Sequence, residues 1–539
     1  MFADQIFYNG NIYTLDPENN TTDALACKDG KIIAVGRHAL TCKGPDTECI
    51  DLKGQAVIPG IEDCHTHFYG IGKSLLGLDL KDMNKAQVLQ CVAEAAGRMP
   101  QGEWIIGNGW NNALFEDGKY PRKEELDVVT QNHPALLIRY CGNGFWANSL
   151  ALQAAEIDRN TLDPEGEIQK DEKGEPTGIL SGFAARRITD ILPEYGDEMY
   201  RKMLLDAQKA LLSWGITSVM DEGAGATSAM GDGNGKRFVE VLRSLYEEGT
   251  MKLRFCENVC AVQTDFYEEV LKNGPVIGAY GDRFDFRGVK IWTDGAMGMR
   301  TAWMTDGYRD DPSNFGQPHY THEQLKALLK KNDDAGFQTT IHAIGNGACK
   351  QILDCYEVLF GGDGKDRRFK LEHFHLADPE DVDRLVADGI INSTQFIQYA
   401  DDLAAAGEAI GKDRFAHCYA WRQILDKGGI VCGGADSTFS ALNPFPALYV
   451  AVTRTDLEGK NELDPSYRDS VLSREEALRV YTTSAAFAQF KEAVKGSLEP
   501  GKYADLVVLD RDYFTCPVEE IQNIRVLRTV IGGETVWEV

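Results

Sequence analysis

Two histidines spaced two residues apart, His65 and His67, are the first residues in this sequence whose type and spacing indicate chemistry. They end the run V-I-P-G-I-E-D-C-H-T-H-F-Y, which begins as a short apolar strand. On a strand, side chains alternate between two faces, so both imidazoles point one way and Thr66 points the other. Two neutral imidazoles placed in this way can reach one divalent ion at about 2.0 to 2.1 Å. A pair of ordinary surface or core histidines is the alternative interpretation.

Apolar, β-branched runs recur along the chain, and each ends in polar or chemically capable residues. They cover residues 56–67, 217–221, 253–259, 288–294, 338–342, 369–373, 389–395 and 429–436. After the first run, helix-length segments separate them. This alternation of strands and helices predicts an α/β fold, a (β/α)8 TIM-like barrel.

Five of these runs carry a side chain that is a possible metal ligand. These are His65 and His67 on the first run, Lys290 on the fourth, His342 on the fifth, His373 on the sixth and Asp436 on the eighth. The carboxyl ends of barrel strands surround one mouth, so residues far apart in the sequence are predicted to meet there. The chain has only 10 histidines, so finding four of them at these positions favours a site over coincidence.

Each of these residues also has a structural interpretation. His375 lies two residues after His373, so strand alternation does not decide which of the two faces the mouth. Lys290 could be a lysine whose buried stem reaches for solvent. Asp436 could cap the following helix, and Asp294 could initiate a turn.

The two ends of the chain are rich in β-strand patterns and flank the alternating middle. Asn9-Gly10 and Asp29-Gly30 predict hairpin turns between short strands. We therefore predict a composite β-sandwich domain from residues 1–56 plus 491–539, and a barrel domain over residues 57–490. The barrel would carry an inserted subdomain at about 71–214, because this interval is too long for one crossover.

Three helices have sequence signals at their starts. Asn84 is a predicted N-cap for a helix over 85–99, and a helix is predicted over 321–335. Ser473 and Glu476 fit a capping box before a helix predicted over 477–490.

Composition excludes several classes of function. The 539 residues carry a formal net charge of −27, which argues against nucleic acid or an anionic membrane as partner, because no long basic run opposes this charge. We identify no signal peptide, no membrane-spanning run and no phosphate-binding loop. The 13 cysteines are scattered without a C-x-x-C pair. They predict reduced thiols and a cytoplasmic location.

A family resemblance emerges when the motifs are taken together. They read V-I-P-G-I-E-D-C-H-T-H-F, G-I-T-S-V-M-D-E-G, G-V-K-I-W-T-D-G-A-M-G-M-R-T-A, I-H-A-I-G-N, L-E-H-F, G-G-A-D-S, N-P-F-P-A-L-Y-V-A-V-T-R and K-G-S-L-E-P-G-K-Y-A-D-L-V-V-L-D. The chain resembles the amidohydrolase superfamily nearly end to end. It is most similar to the amidohydrolase family 3 branch, which includes YtcJ-like proteins and N-substituted formamide deformylase.

The resemblance implies a ligand set and a cofactor. By it, the metal ligands are His65, His67, His342, His373 and Asp436, with Lys290 as the strand-four lysine that carboxylation turns into a bridge between two ions. Zinc is the expected metal, as one or two ions, with Mn²⁺ or Fe²⁺ as alternatives. His373 is preferred over His375 on the same basis. A small-molecule substrate and a homodimer are further expectations from the family.

The chemistry that this set would support is hydrolysis of an amide-like C–N bond. A metal-activated hydroxide would attack the carbonyl, with Asp436 as general base and then general acid. A deaminase or a cyclic-amide hydrolase on the same site is the enzymatic alternative. A catalytically inactive barrel that acts as a binding or regulatory protein is the alternative from another class.

Substrate-binding candidates lie in the insert and after the fourth strand. They are Trp110, Asn143, Trp146, Arg300 and Trp303. Arg300 could clamp a carboxylate or tie loops together, and both tryptophans of the insert could be core residues. Two departures from the family pattern affect the substrate: Asn143 replaces a usual histidine, and the segment 178–184, around Gly182, lacks a usual glutamate.

Overall fold

The structure is a computed structural model. It describes residues 1–139, 144–163, 168–192, 195–224, 234–261, 265–361, 366–464 and 466–539.

The strands alternate with helices through most of the chain. They are β1 (Gln5–Tyr13), β2 (Thr21–Lys28), β3 (Lys31–Val35), β4 (Glu48–Asp51), β5 (Ala56–Pro59), β6 (Ile61–Thr66), β7 (Leu78–Asp79), β8 (Ile105–Trp110), β9 (Ala135–Arg139), β10 (Gly144–Ala147), β11 (Ile168–Lys170), β12 (Pro176–Ser181), β13 (Ile216–Ala224), β14 (Arg254–Cys260), β15 (Val276–Gly278), β16 (Phe284–Trp292), β17 (Gln338–Ala343), β18 (Lys370–His373), β19 (Ile391–Thr394), β20 (Val431–Gly433), β21 (Leu506–Leu509), β22 (Val526–Ile531) and β23 (Glu534–Glu538).

The helices range from single turns to long elements. They are α1 (Arg37–Leu40), α2 (Phe68–Leu76), α3 (Lys85–Ala96), α4 (Lys123–Thr130), α5 (Ser149–Ala154), α6 (Arg186–Thr189), α7 (Asp197–Ser213), α8 (Gly235–Glu247), α9 (Asp265–Asn273), α10 (Ala279–Asp282), α11 (His322–Asp334), α12 (Asn346–Phe360), α13 (Pro379–Ala387), α14 (Phe396–Ala405), α15 (Gly407–Ile410), α16 (Lys412–Phe415), α17 (Trp421–Asp426), α18 (Pro444–Thr453), α19 (Arg474–Val480) and α20 (Thr483–Ala488). Among the described residues, no helix is both long enough and apolar enough to cross a membrane.

Parallel strands form a nearly closed barrel in the order β6-β13-β14-β16-β17-β18-β19-β20. Each of these strands overlaps one of the eight runs identified in the sequence, so the predicted (β/α)8 fold is confirmed. β14 and β18 are buried along their whole length, as expected for parallel strands covered on both faces. An isolated parallel bridge between Thr66 and Ser437 joins the two ends of the barrel sheet.

A second sheet brings the two ends of the chain together. Its order is β23-β22-β21-β5-β1-β2-β3, with β4 paired to β1. β21, from the C-terminal part, lies antiparallel to β5, from the N-terminal part. Because it joins strands that are about 450 residues apart in sequence, this sheet has a high cost in loop-closure entropy and depends on its buried apolar face, which includes Phe7, Val57 and Leu506.

Of the two hairpin turns predicted here, one is confirmed. Asp29 and Gly30, with φ of 50° and 76°, connect β2 and β3 as an antiparallel pair. Asn9 and Gly10 instead lie inside β1, where the pairing with β2 shifts register between Tyr8 and Ile12. The left-handed conformation of Asn9, with φ of 58°, therefore serves a β-bulge rather than a turn.

The predicted capping residues are confirmed, but the helices predicted over 85–99 and 477–490 end earlier, at Ala96 and Val480, and the second begins earlier, at Arg474. Asn84 and Thr321 each form a capping box, on α3 and α11 respectively. Ser473 and Glu476 also form a capping box, but the helix that they start ends at Val480. A residue with non-helical backbone, Thr482 (φ −138°, ψ −89°), precedes α20.

The chain divides into two compact units. One contains residues 1–66, 208–225 and 246–539, and therefore holds both the barrel and the sheet made from the chain ends. The other contains residues 67–207 and 226–245, with a sheet of order β11-β12-β10-β9-β8-β7. The predicted domain boundaries at 56/57, 490/491 and about 71–214 stay a prediction.

A buried ion pair joins the barrel to the sheet of the chain ends. Arg254, at the start of β14, donates from Nε and Nη2 to both carboxylate oxygens of Asp505, at 2.6 and 3.0 Å. Their side chains are only 6% and 7% exposed. The Asp505 carboxylate also accepts from the backbone N–H of Gly532 at 2.7 Å. Although burial would raise the pKa of Asp505, Arg254 holds it below its usual range.

We predict that Arg254→Met lowers the free energy of unfolding at pH 7 by about 3–5 kcal/mol, because it leaves a buried carboxylate without its partner. Urea unfolding measures this loss. The folded pKa of Asp505 is depressed, so the stability that its ionisation contributes is present above its unfolded pKa of about 3.9. The advantage of the wild type over Asp505→Asn should therefore shrink as the pH falls from about 5 through the folded pKa.

The matched control is an exposed ion pair formed by Lys252, which lies two residues before the start of β14. Lys252 contacts Glu534 at 2.9 Å, with side chains 32% and 52% exposed. Lys252→Met should change the unfolding free energy by no more than about 1 kcal/mol. Equal losses in the two variants would contradict a special role for the Arg254–Asp505 pair.

Candidate active site

The barrel mouth brings together side chains from distant parts of the sequence. His65 is near the end of β6, Lys290 is on β16, His342 is on β17, His373 ends β18 and Asp436 follows β20. All are buried or nearly so: Lys290 is 0% exposed and the His342 side chain is 13% exposed. The convergence expected from the strand ends is therefore present in the structure.

His65 lies at the centre of this group. Its Nε2 atom is 3.3 Å from Oδ1 of Asp436 and 3.4 Å from Nζ of Lys290. The His65 and His373 rings have centroids 5.0 Å apart, and the His373 and His342 rings 4.5 Å apart. Three imidazoles, a carboxylate and a lysine thus surround one small volume.

His67 belongs to the same group through the H-x-H motif. His67 is buried, with 9% of its surface exposed. His67 is two residues along the chain from His65 and immediately precedes α2. The place of His67 beside His65 in the ligand set stays a prediction from the sequence.

Left-handed backbone conformations orient the side chains of His373 and Asp436. His373, Phe374 and Asp436 have φ of 71°, 53° and 54°, a region that non-glycine residues enter only at a cost. Lys370 and Glu372 on β18 already point into the barrel, so regular alternation would turn His373 away. With this change of backbone, the His373 ring lies against the His65 and His342 rings.

Asp63 and Gly434 hold the first and last barrel strands together at the mouth. The Asp63 carboxylate accepts from the backbone N–H groups of His65 and Ala435, at 3.0 and 3.1 Å. The backbone N–H of Asp436 donates to the His65 carbonyl at 2.7 Å. A Cβ on Gly434 would lie 2.4 Å from the His65 nitrogen, so only glycine allows this approach. Burial raises the pKa of Asp63 to about 7.

A layer of four buried charges lies at the metal-ligand candidates, and only one of the four, Lys290, was identified from the sequence. Oε2 of Glu372 is 2.6 Å from Nδ1 of His65. Lys370 Nζ is 2.9 Å from Glu372 and 3.2 Å from Glu222, and Lys290 Nζ is 3.3 Å from Glu222. All four of these acidic and basic side chains are 0% exposed. Lys370 and Glu372 have the i, i+2 spacing of one strand face, which is the signal that could have found them.

The surroundings lower the pKa of His342 and His373 and raise the pKa of His65. Burial, assisted by the Lys290 charge, lowers the pKa of His342 to about 3. Burial and the neighbouring His342 lower the pKa of His373 well below its usual range. For His65, burial and Lys290 oppose protonation, but the carboxylates of Asp436 and Glu372 outweigh them and raise its pKa to about 9.

This donor set fits a divalent cation. The neutral imidazoles of His342 and His373 offer lone pairs, and Nδ1 of His373 is buried with no hydrogen-bond partner within the described part of the chain. The carboxylates of Asp436 and Glu372, 3.3 and 2.6 Å from the ring nitrogens of His65, favour a positive charge at this position. Imidazole and carboxylate donors are those that zinc prefers. A second cluster of possible ligands consists of His65, Glu222 and Glu372. The ammonium groups of Lys290 and Lys370 already balance the charges of its two carboxylates.

Asp294, for which the sequence also allowed a role in initiating a turn, fixes the backbone after β16 through hydrogen bonds. Its carboxylate accepts from the N–H groups of Trp303, Ile344 and Gly345, at 2.9, 3.0 and 2.8 Å. Its Oδ1 also lies 3.5 Å from Nε2 of His342. Burial raises the pKa of Asp294 to about 7. Asp294 therefore links the segments that follow β16 and β17.

The two predicted tryptophans of the insert lie in the core of the second unit. Trp110 and Trp146 are both 0% exposed, with ring centroids 5.9 Å apart. Their Nε1–H groups donate to the carbonyls of Leu137 and Arg122, at 2.9 and 3.0 Å. Because their polar atoms are already satisfied, these positions favour the core alternative.

The remaining substrate-binding candidates have different surroundings. The Arg300 guanidinium donates to Asp310 at 2.6 and 3.1 Å and to the Gly298 carbonyl at 2.7 Å, which favours its loop-tying alternative. Trp303 is half-buried, and its backbone packs against Gly345. Asn143 lies outside the described residues.

Comparison with known proteins identifies the family of this chain. The model of the amidohydrolase family matches residues 48–537. A putative amidohydrolase YtcJ of Bacillus subtilis is 33% identical, with 99% of each chain covered. The N-substituted formamide deformylase of Arthrobacter pascens is 27% identical, over 99% of this chain and 98% of that protein.

A solved structure shares the same fold. An uncharacterized metal-dependent hydrolase from Pyrococcus horikoshii superposes with a TM-score of 0.76 at 26% identity, covering 95% of this chain and 99% of that one. The predicted family is confirmed across nearly the whole sequence. The chain belongs to the amidohydrolase family and is a metal-dependent hydrolase.

Proposed function

We propose that this protein hydrolyses an amide-like C–N bond of a small molecule. The observation that carries the proposal is the convergence of His65, His342 and His373 with Asp436 and Lys290 at the barrel mouth. The similarity to N-substituted formamide deformylase along the whole chain supports the choice of a C–N bond.

The residues proposed to hold the metal are those at the strand ends: His65, His67, Lys290, His342, His373 and Asp436. Zinc is the proposed ion, as one or two ions, with Mn²⁺ or Fe²⁺ as alternatives. In a site with two ions, carboxylation of Lys290 would supply the bridging anion. Glu222 would then lose its contact with the Lys290 ammonium and retain Lys370 at 3.2 Å as its cation.

The chain's own residues would orient the reactants and move the proton. A divalent ion at this position supplies water activation, by lowering the pKa of water to about 7, and carbonyl polarisation. Asp436 would accept a proton through its carboxylate and pass it to the leaving nitrogen. Glu372 holds Nδ1 of His65, which leaves Nε2 directed at the cluster. Burial of these groups limits the access of bulk water.

Three alternatives to this proposal remain. A deaminase on the same residues would release ammonia, whereas a cyclic-amide hydrolase would open a ring. A catalytically inactive barrel would act as a binding or regulatory protein. The complete set of strand-end residues favours catalysis, because a buried charged cluster is costly to maintain without a use.

We also propose the setting in which the enzyme works. The described cysteines are all free, which is consistent with a cytoplasmic location. The net charge of −27 is consistent with a small molecule, rather than nucleic acid or a membrane, as partner. A homodimer is the proposed assembly.

Replacing the proton carrier should remove turnover without unfolding the protein. We expect Asp436→Asn to lower kcat by about 10²–10⁴-fold, the usual contribution of a positioned acid–base group, and His65→Ala to abolish activity. Asp413→Asn is the matched control, because this carboxylate is 70% exposed and pairs with the exposed Arg309. Wild-type turnover in Asp436→Asn would exclude it as the proton carrier.

Removal of the metal tests the cofactor directly. Dialysis against a chelator should abolish hydrolysis, and addition of Zn²⁺, Mn²⁺ or Fe²⁺ should restore it, with elemental analysis showing about one or two ions per chain. A protein that is purified without metal and gains no activity from any of these ions would support the inactive binding protein.

A substrate screen separates the enzymatic alternatives. N-formyl amines, N-acyl amino acids, cyclic amides and aminated heterocycles should be incubated with the metal-loaded protein. We expect release of a carboxylate together with an amine, measured by chromatography. Release of ammonia from the heterocycles alone would instead identify a deaminase.

A further inference from the structure

A cavity of about 210 Å³ lies near the amino-terminal ends of the barrel strands, whereas the candidate active site lies at their carboxyl-terminal ends. It is lined by Arg287 of β16, by Gln338 and Thr339 at the start of β17, by the ends of α11 and α12, and by Phe490 after α20. All of these belong to the unit that contains the barrel. No step of the proposed hydrolysis uses this cavity.

Arg287 lines this cavity with a guanidinium group that lacks a charged partner. Among the described residues, no carboxylate forms an ion pair with it, and its buried Nε atom donates to no acceptor. The guanidinium carbon lies 3.6 Å from the centroid of the Phe490 ring, a cation–π contact that fixes its position. Burial lowers the pKa of Arg287, but a guanidinium stays charged at neutral pH.

A β-bulge in the barrel wall carries this arginine. β14 pairs with β16 at Glu257–Phe286 and next at Asn258–Gly288, so Arg287 is an extra residue without a partner on β14. Bulges redirect side chains and are frequent beside functional sites. An unpaired arginine at such an inserted position favours a binding role.

The acidic residues around the cavity do not take up this charge. Asp333 accepts from Nε of Arg367 at 2.8 Å, and Asp285 lies 3.1 Å from the Lys491 ammonium. Asp366 is exposed, so water solvates its carboxylate. The arginine of the bulge is therefore left to pair with an anion from outside the chain.

Gln338 and the apolar walls define such an anion further. Nε2 of Gln338 donates to the carbonyls of Arg368 and Ala488, at 2.6 and 3.0 Å, while its buried Oε1 accepts from no described residue. The nearly fully buried Phe337 and Phe369 add apolar lining. Since an apolar cavity of about 150 Å³ holds a benzene molecule, this cavity has room for a ring that carries an acidic group.

We propose that this cavity binds a small organic carboxylate with an apolar body and with a hydroxyl or N–H group beside the carboxylate. The carboxylate would accept from the Arg287 guanidinium in the bidentate geometry that these two groups favour, and the neighbouring donor would reach Oε1 of Gln338. Phosphate is less suited, because Arg287 balances one negative charge only. The site is independent of the metal chemistry at the barrel mouth.

Calorimetry with mandelate tests the class of ligand. Mandelate has a phenyl ring, a carboxylate and a hydroxyl beside it, phenylacetate lacks the hydroxyl, and mandelamide lacks the charge. We expect saturable binding of mandelate, weaker binding of phenylacetate, and binding of mandelamide that is at least about 10-fold weaker, because hydrogen bonds to charged groups are the stronger ones. No saturable binding at about 10 mM mandelate, or equal binding of either analogue, would overturn the proposal.

Substitution of Arg287 tests the position of the ligand. Arg287→Met should weaken mandelate binding about 10–100-fold, because it removes the guanidinium but keeps an unbranched side chain that can pack on Phe490. Arg287→Lys keeps the charge and should lose less. Arg309→Met is the matched control, because this arginine is 59% exposed and pairs with Asp413. It should bind mandelate as the wild type does, and equal losses in Arg309→Met and Arg287→Met would overturn the proposal.

His65→Ala separates this cavity from the barrel mouth, where a carboxylate could instead coordinate the metal. Because the two sites are distant, mandelate affinity in His65→Ala should stay within about twofold of the wild type. Loss of binding in His65→Ala together with full binding in Arg287→Met would assign mandelate to the metal site and overturn the proposal.

Discussion

The burial of several charges in one small volume is the constraint on which the rest of this structure depends. Glu222, Glu372 and Asp436 are carboxylates with little or no exposure, and a buried anion is tolerated only when cations and hydrogen bonds surround it. Lys370 lies between the two glutamates, and Lys290 contacts Glu222. Asp436 instead faces His65, and its negative charge is balanced there when the imidazole is protonated or a metal is bound.

This arrangement explains why the metal-ligand candidates and the charged layer form one system. Glu372 contacts Nδ1 of His65 and also Lys370, so the orientation of one ligand depends on a residue that binds no metal. On the other side, Gln398 contacts Asp436. A ligand fixed on both sides loses little conformational entropy when an ion binds, which is the physical value of such partners.

Backbone strain at the mouth is the second condition for the site. The left-handed conformations of His373 and Asp436 each cost free energy, and they persist because neighbouring strands hold them. Asp63 ties β6 to the segment after β20, and Gly434 permits the close approach. The near-closure of the barrel and the geometry of the site therefore have the same origin.

Much of the fold followed from the sequence because its signals are local. Runs of β-branched residues located all eight barrel strands, and the capping residues located helix starts, since both depend on neighbours along the chain. The H-x-H motif and the other strand-end residues were recognisable because strand ends in a barrel share one mouth.

The same sequence by itself determined which residues are available for chemistry, but only the tertiary structure decided how they are aimed. The face that His373 presents depends on a positive φ, and the role of Asn9-Gly10 depends on the strand paired with it. Trp110 and Trp146 lie in the core, and Arg300 pairs with Asp310. These contacts are with residues that no local sequence pattern identifies. Glu372 and Gln398 acquire their roles in the same way, because a hydrogen bond between distant segments exists only once the chain has folded.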